Sequence, residues 1–500
     1  MSMAEKFVES KFTLAQEQPS FAFCRFFFSM KETFRTKLSA NTLQLVTNQL
    51  FNLLVFYLLS QQLSKTAFGE LNWTLAAFLF SFSIASFGFD QLVVQKTAAG
   101  EPQPKLLSLH LMHVLLSGCI LYAALFVAAL LFRPFFSTHP LLLPVGLGKL
   151  LLFFSTPFKA IAAGSERFRL VLRLSVSSAV LKGSCLLLLV FTHAFSLSAV
   201  VVVFVVSDAS EFLLAIVLFV KEGARRFPFQ FQGKMYVQFF RGALPQVGIV
   251  FLAAALARID WILIGLFLSP QKLAEYSFAY KAFEFASLPL LVIAPLLLPY
   301  LTRISRSGLP IHQHAQMRLL LKAEIIIACL VALCLNGLWS PVVDAVTAGR
   351  YGASNRQTIF LFSLTLPVLY LNNFLWSLHF ANGRLKTILY SFVLSLAVNL
   401  LGNFLLLSRY GNEGAATAFF LSVTAQTVFY AVYTKDLFYF DWQSLGACVA
   451  CAVFSGMCAA FLVSNTALLL LASTGLYVLC LIGTTQLRKK EMAVLWQTIT

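Results

Sequence analysis

Charge is scarce in this chain. Asp, Glu, Lys and Arg make up 11% of its 500 residues against 59% hydrophobic residues, a balance foreign to water-soluble domains of this length. Other defining features are missing too. No glycine-rich loop is followed by Lys-Ser or Lys-Thr, so no ATP site is expected. Eight of the nine cysteines (Cys119, Cys185, Cys329, Cys334, Cys448, Cys451, Cys458 and Cys480) lie in apolar runs. The pair Cys448 and Cys451 forms a CxxC flanked by Ala, Val and Phe, with no His and no second pair. Small apolar packing explains it, and neither a metal nor a cofactor is expected. Lys6, Glu9, Lys11, Glu17 and Arg25 break any apolar core near the N-terminus, so a cleavable signal peptide is not expected.

Apolar runs long enough to span a bilayer fill the rest. They fall at about 39–62, 71–95, 106–132, 141–158, 170–192, 197–220, 242–268, 273–301, 319–340, 358–381, 387–407, 414–434, 443–464 and 466–486, which predicts an all-α polytopic membrane protein of about 14 transmembrane helices. The net charge of +17 could indicate nucleic acid, but its distribution argues against that. Six cations lie inside runs (Lys149, Arg173, Lys182, Arg258, Lys281, Lys322) and six in odd-numbered connections (Lys65, Arg133, Lys272, Arg350, Arg356, Arg409). The remaining 25 of the 37 Lys and Arg fall in the tails and even-numbered connections. That bias predicts cytoplasmic N- and C-termini, contact with anionic membrane lipids, and no nucleic-acid partner.

The expected organisation is a cytoplasmic or interfacial segment over 1–38, a six-helix lobe over 39–220, a basic linker over 221–241, a second six-helix lobe over 242–436, and a helix pair with a basic tail over 437–500. Ser20 to Leu38 mixes Phe with Lys and Arg and fits either an amphipathic helix on the inner leaflet or an extension of the first span. The stretches Leu63-Ser-Lys-Thr-Ala-Phe-Gly-Glu-Leu71 and Leu268-Ser-Pro-Gln-Lys-Leu-Ala-Glu-Tyr276 align without a gap. Each joins two spans, and their separation of six spans predicts two lobes running the same way through the membrane, with a site between them.

The chemistry concentrates around the second of these stretches. Pro270 marks a helix turn. Arg258 and Lys281 each lie about ten residues from it, so both sit roughly 15 Å deep at about 1.5 Å per residue, near the middle of a hydrocarbon core about 30 Å thick. Asp260 and Glu284 fall within a turn of them. Ionisable groups at that depth face a cavity or one another. Lys281 and Glu284, three apart, share a face, whereas Arg258 and Asp260, two apart, do not.

The fifth and sixth runs repeat the pattern. Lys182 matches Asp208 and Glu211 in depth and can pair with either, as a structural ion pair or an ion relay. Lys149 has no obvious partner and either snorkels outward or meets a ligand. On the first run, Asn41, Gln44, Asn48 and Asn52 share one helical face, as a cavity wall or as interhelical bonds. Asp90 is expected to cap a helix or form an ion pair near the inner interface. Arg409-Tyr-Gly-Asn-Glu-Gly-Ala-Ala416 is a glycine-rich turn that packs tightly.

Several of these motifs resemble one family. Phe68-Gly-Glu-Leu71, Ser86-Phe-Gly-Phe-Asp90, Leu244-Pro245, Arg258-Ile-Asp260 and Tyr276-Ser-Phe-Ala-Tyr280, then Arg350-Tyr-Gly-Ala353, Asn372-Asn373 and the 409–416 turn, are similar to motifs of polysaccharide (O-antigen type) flippases. That family belongs to the multidrug/oligosaccharidyl-lipid/polysaccharide exporter superfamily. The resemblance covers roughly residues 38–436. It implies two six-helix lobes around a central cavity, a bacterial cytoplasmic (inner) membrane location, and transport of an undecaprenyl-pyrophosphate-linked oligosaccharide between leaflets by alternating access. Polysaccharide polymerases and glycosyltransferases are the partners such a step would have. Many members have twelve spans, so the last pair departs from the pattern. The residues agree with the implied cargo: Arg258, Lys281 and Lys149 suit a pyrophosphate, and Gln44, Asn48 and Asn52 suit sugar hydroxyls. Asp260, Glu284, Lys182, Asp208 and Glu211 would form the charge network and any ion-coupling site.

Two other functions compete. A drug or cation antiporter of the same superfamily needs acidic charge in its cavity, and the first run has no carboxylate. A membrane glycosyltransferase or polysaccharide ligase needs catalytic carboxylates or His in sizeable outer loops. The longest odd-numbered connection, about 341–357, offers only Asp344, so an enzyme is not expected.

Overall fold

The computed structural model describes residues 32–221, 233–290, 315–438, 440–462 and 465–487, with isolated positions at 293, 297, 301 and 302. Residues 20–31 of the expected interfacial segment and 222–232 of the expected linker lie outside them, whereas 32–38 and 233–241 are helical and continuous with the spans that follow. The described chain is helical, with no strand: α1 (Glu32–Gln62), α2 (Lys65–Ala85), α3 (Phe89–Ala98), α4 (Gln103–Leu131), α5 (Arg133–Thr138), α6 (Leu142–Phe154), α7 (Thr156–Gly164), α8 (Phe168–Phe191), α9 (Leu197–Lys221), α10 (Gly233–Phe267), α11 (Pro270–Ala286), α12 (Ala315–Thr347), α13 (Arg356–Ala381), α14 (Leu385–Tyr433), α15 (Trp442–Leu462) and α16 (Thr466–Gly483).

Ten helices among the described residues are long and apolar enough to cross a membrane, against fourteen runs in the sequence. Part of the difference is chain reversal inside one helix. At 49 residues, α14 is more than twice the length a bilayer needs, and it breaks at Gly411, whose φ of 57° is left-handed. Its arms fold back on each other: Ser395 donates to the Ser422 carbonyl at 3.2 Å, and Gln426 donates to Ser391 Oγ at 3.3 Å. A Cβ on Gly402 would lie 3.1 Å from Ala418 Cα. The 409–416 stretch is therefore a hairpin between two antiparallel arms. At the other extreme, α16 is 18 residues long, and most of 291–314 lies outside the described residues.

Local chemistry sets the two repeat-related turns. Ser64 accepts a hydrogen bond from the Ala67 amide, and Ser269 from the Lys272 amide, each capping its helix, with Pro270 in the first turn of α11. These helix starts meet across the molecule. Gln271 Nε2 donates to Thr66 Oγ1 at 2.7 Å, and Asn72 Nδ2 donates to Ser277 Oγ at 3.1 Å. Both pairs are separated by 205 residues, the offset of the sequence repeat. Residues equivalent in the two lobes thus touch each other, as they must beside a pseudo-two-fold axis. Lys65 pairs with Glu275 at 2.7 Å, while Glu70, the repeat mate of Glu275, takes His139 at 2.9 Å. Arg350 completes the junction by donating to the carbonyls of Gln61 and Leu63 at 2.8 and 2.9 Å. The lobes are closed at this end.

The closure depends on Gly69, where a Cβ would lie 1.8 Å from the Pro270 carbonyl oxygen. Backbone cannot yield as a side chain can. Gly69→Leu is expected to hold the lobes apart here. In a cysteine-free background, a disulfide between Thr66→Cys and Gln271→Cys should form, and Gly69→Leu should abolish it; undiminished cross-linking would refute the close approach.

Three apolar cores hold the fold. One crosses the lobes beneath the closed end, with Tyr276, Tyr280, Phe283, Phe362 and Phe419 interlocked. A second joins α12, α13 and α14 to the C-terminal pair, with α15 and α16 packed on α12. The third joins α3, α4 and α7 to the start of α10. Cys448 and Cys451 are buried on α15 within the second core, in keeping with a packing role.

Candidate functional site: two charge clusters

Each lobe holds two cations on one carboxylate. In the second lobe, Lys281 Nζ lies 2.7 Å from Glu284 Oε2, and Arg258 donates from both terminal nitrogens to Glu284 Oε1 at 3.4 Å. The guanidinium stands over the rings of Trp261 and Tyr280, at 4.9 and 5.9 Å, an arrangement that favours a cation. In the first lobe, Lys149 Nζ lies 2.6 Å from Asp208 Oδ2 and Lys182 Nζ 3.2 Å from Asp208 Oδ1. Both lysines also stand near the Phe204 ring, at 5.6 and 4.6 Å. Gly148 makes room by letting α6 approach Val205 on α9.

Charge counting gives each cluster one positive charge in excess. The four cationic side chains are 11–20% exposed, so they are shielded from bulk solvent but not sealed off. The long 3.4 Å contacts leave guanidinium N–H groups available to an acceptor with better geometry.

Lys182 takes Asp208, one of the two partners expected for it, and Asp260 faces away from Arg258 as their spacing requires, but Asp260, Lys149 and Glu211 sit differently in the charge network from what was expected. Asp260 does not meet Arg258 or Lys281. Two helical positions turn the side chain by about 200°, and Asp260 is buried on the other face of α10. There Tyr276 donates to Oδ2 at 3.0 Å and Asn403 to Oδ1 at 2.8 Å, with Asn403 also donating to Asn399. Lys149 does not snorkel unpaired, because Asp208, 59 residues on, reaches it. Glu211 does not take Lys182. It pairs with Lys159, because α7 continues past the fourth run's expected end.

The polar stripe lies on α1. Asn48 is half-buried, its Oδ1 without a partner among the described residues, and Asn52 is exposed. The side chains of Asn41 and Gln44 lie outside the described residues. Asn372 bonds Gln426 and Thr427 at 3.3 and 3.1 Å, so it serves α13–α14 packing. Asp90 sits in the first turn of α3, 3.1 Å from His110 Nε2.

One buried acid escaped sequence reasoning. Glu324 on α12 is 1% exposed, and neither carboxyl oxygen has a hydrogen-bond partner among the described residues. Its signal was simply an acidic residue inside an apolar run. An unpartnered buried polar group is destabilising, so Glu324→Leu is expected to raise stability by about 1–3 kcal/mol, read as a higher melting temperature in detergent. A lower melting temperature would mean that the carboxyl holds something in the native protein.

No group of three or more His, Cys, Asp or Glu among the described residues could hold a metal ion. The described helices form two lobes that meet at one end, and each lobe carries two cations on one carboxylate. The chain is similar over 88% of its length to the lipid II flippase MurJ in an inward closed conformation (TM-score 0.73, 13% identity, 97% of that chain). It is also similar to an inward-facing multidrug resistance MATE family transporter of the MOP superfamily (TM-score 0.62, 12% identity, 79% of this chain and 97% of that one). A third likeness is to the Vibrio cholerae MATE transporter VcmN (TM-score 0.55, 14% identity, 83% and 98%). These likenesses give the fold. No curated protein matches by sequence. The family profile described as "Polysaccharide biosynthesis protein" matches residues 35–305, and the chain belongs to that family.

Proposed function

We propose that this protein is a transporter of the flippase type that moves a polyprenyl-pyrophosphate-linked oligosaccharide from the inner to the outer leaflet of a bacterial cytoplasmic membrane, by alternating access, for surface polysaccharide synthesis. The observation that carries the reading is the pairing of two cations with one carboxylate in each lobe. A pyrophosphate brings at least two negative charges into a space of low dielectric, and one excess positive charge from each lobe offsets their desolvation. In this reading the clusters face a common cavity. Arg258 supplies bidentate contacts that Lys281, Lys149 and Lys182 cannot, and Gln44, Asn48 and Asn52 meet sugar hydroxyls. The basic tails and even-numbered connections face the cytoplasm. The lobes are 39–220 and 242–436, with 437–500 appended. Polymerases and glycosyltransferases act before and after the flip.

A cell lacking the protein is expected to lose the surface glycan and to accumulate its lipid-linked precursor at the inner leaflet. Normal glycan together with new sensitivity to cationic drugs would favour a cation antiporter instead. The buried Asp260, without a cationic partner among the described residues, is the observation on that side. In the flippase reading it is the place for a coupling proton or monovalent cation.

A further inference from the structure

Opposite the closed end, a backbone break and two histidines come together. Phe87 and Gly88 adopt left-handed φ values of 53° and 70° between α2 and α3. For a phenylalanine that conformation is strained. His110 and His113, three apart on α4, face the break, and both are buried. His110 Nε2 lies 3.1 Å from Asp90 Oδ1. His113 Nε2 lies 3.0 Å from the Ala85 carbonyl oxygen, and its Nδ1 lies 2.9 Å from the Tyr236 hydroxyl. Its ring stacks on Phe89 with centroids 3.8 Å apart.

Tyr236 gives the cluster its reach. It belongs to α10, the helix that carries Arg258 and Asp260 in the second lobe. Next to it, Phe239 packs on Phe89 at 5.0 Å and Phe240 on Phe87 at 4.7 Å. The start of α10 is thus held against the first lobe by an aromatic stack and one hydrogen bond to His113.

The protonation of His113 follows from its partners. A carbonyl only accepts, so Nε2 carries the proton and Nδ1 is left to accept from Tyr236. The titratable groups facing His113 are His110, Asp90 and Tyr236. Asp90, the carboxylate among them, is already engaged by His110. A second proton on His113 would go to Nδ1, the atom that accepts from Tyr236, and would break that hydrogen bond.

We propose that His113 is a proton-binding residue, and that its protonated form releases Tyr236 and frees the start of α10 from α3 and α4. The released state binds one proton more than the latched state. Release is therefore favoured as pH falls through the ordinary imidazole range near ~6.5, and latching as pH rises. One proton changes the ratio of released to latched molecules by at most about tenfold per pH unit. The device needs no particular cargo and stands apart from the flippase reading.

Spin labels at the exposed positions Gln91 and Arg241, in a full-length cysteine-free chain reconstituted in liposomes, would report the α3–α10 distance. A single short distance is expected at about pH 8, with a longer one dominating at about pH 5, limits that bracket imidazole titration. His113→Asn offers Tyr236 an acceptor that does not titrate, and should keep the short distance at both pH values. Tyr236→Phe removes the donor, and should show the long distance even at the higher pH. Identical wild-type distances at both pH values would overturn the proposal. So would an unaltered wild-type response in either variant.

Discussion

Arg258→Lys is expected to abolish export of the surface glycan while leaving the protein at normal abundance in the membrane. The substitution keeps the charge and can keep a contact with Glu284, so the local ion pair survives. It loses the planar fork that matches two phosphate oxygens at once. If the cluster only held helices together, Lys would serve nearly as well, and export would fall no further than protein level. Truncated-glycan accumulation on the inner leaflet, measured against immunoblotted protein, separates the outcomes. Full export by Arg258→Ala at normal abundance would remove Arg258 from the site.

Asp208→Ala should have the largest effect on stability. It strips the shared carboxylate from Lys149 and Lys182, both largely buried. Breaking a buried pair by removing one partner typically costs about 3–5 kcal/mol because the remaining charge is uncompensated. Here two charges are left, so membrane abundance should collapse. Adding Lys182→Met to Asp208→Ala removes one of the stranded charges and should restore much of the lost protein. If abundance does not recover, Asp208 acts on something other than these lysines. The rescued double variant should still export poorly, since the first lobe has lost both its anion and one cation.

Depth along a helix is arithmetic, and the sequence gives it well. Rise per residue placed Arg258, Lys281 and Glu284 on one level, and Lys182 level with Asp208, as their contacts confirm. Repeat register was legible for the same reason: nine residues in each lobe aligned at one offset, and that offset recurs as physical contact at Thr66–Gln271 and Asn72–Ser277. Azimuth between distant helices was not legible. Asp260 could be seen to point away from Arg258, but nothing near it in the chain identifies Asn403, 143 residues on, as its partner. Lys149 and Asp208 were both visible as intramembrane charges, yet their pairing depends on α6 packing against α9, which Gly148 permits. The histidines of α4 were hidden by their apolar neighbours. Two His at helical spacing inside an apolar run, close in sequence to the Ser86–Asp90 break, were the available signal.

The central claim is that the two-plus-two cations bind a pyrophosphate-linked lipid. It is tested most directly by native mass spectrometry of the purified protein with undecaprenyl pyrophosphate. Undecaprenyl alcohol and an organic cation dye serve as comparisons. The account predicts a one-to-one complex with the pyrophosphate lipid, strongly weakened by Arg258→Lys, and no comparable complex with the alcohol or the dye. Equal retention of the alcohol, or tight binding of the dye with none of the pyrophosphate lipid, would contradict it.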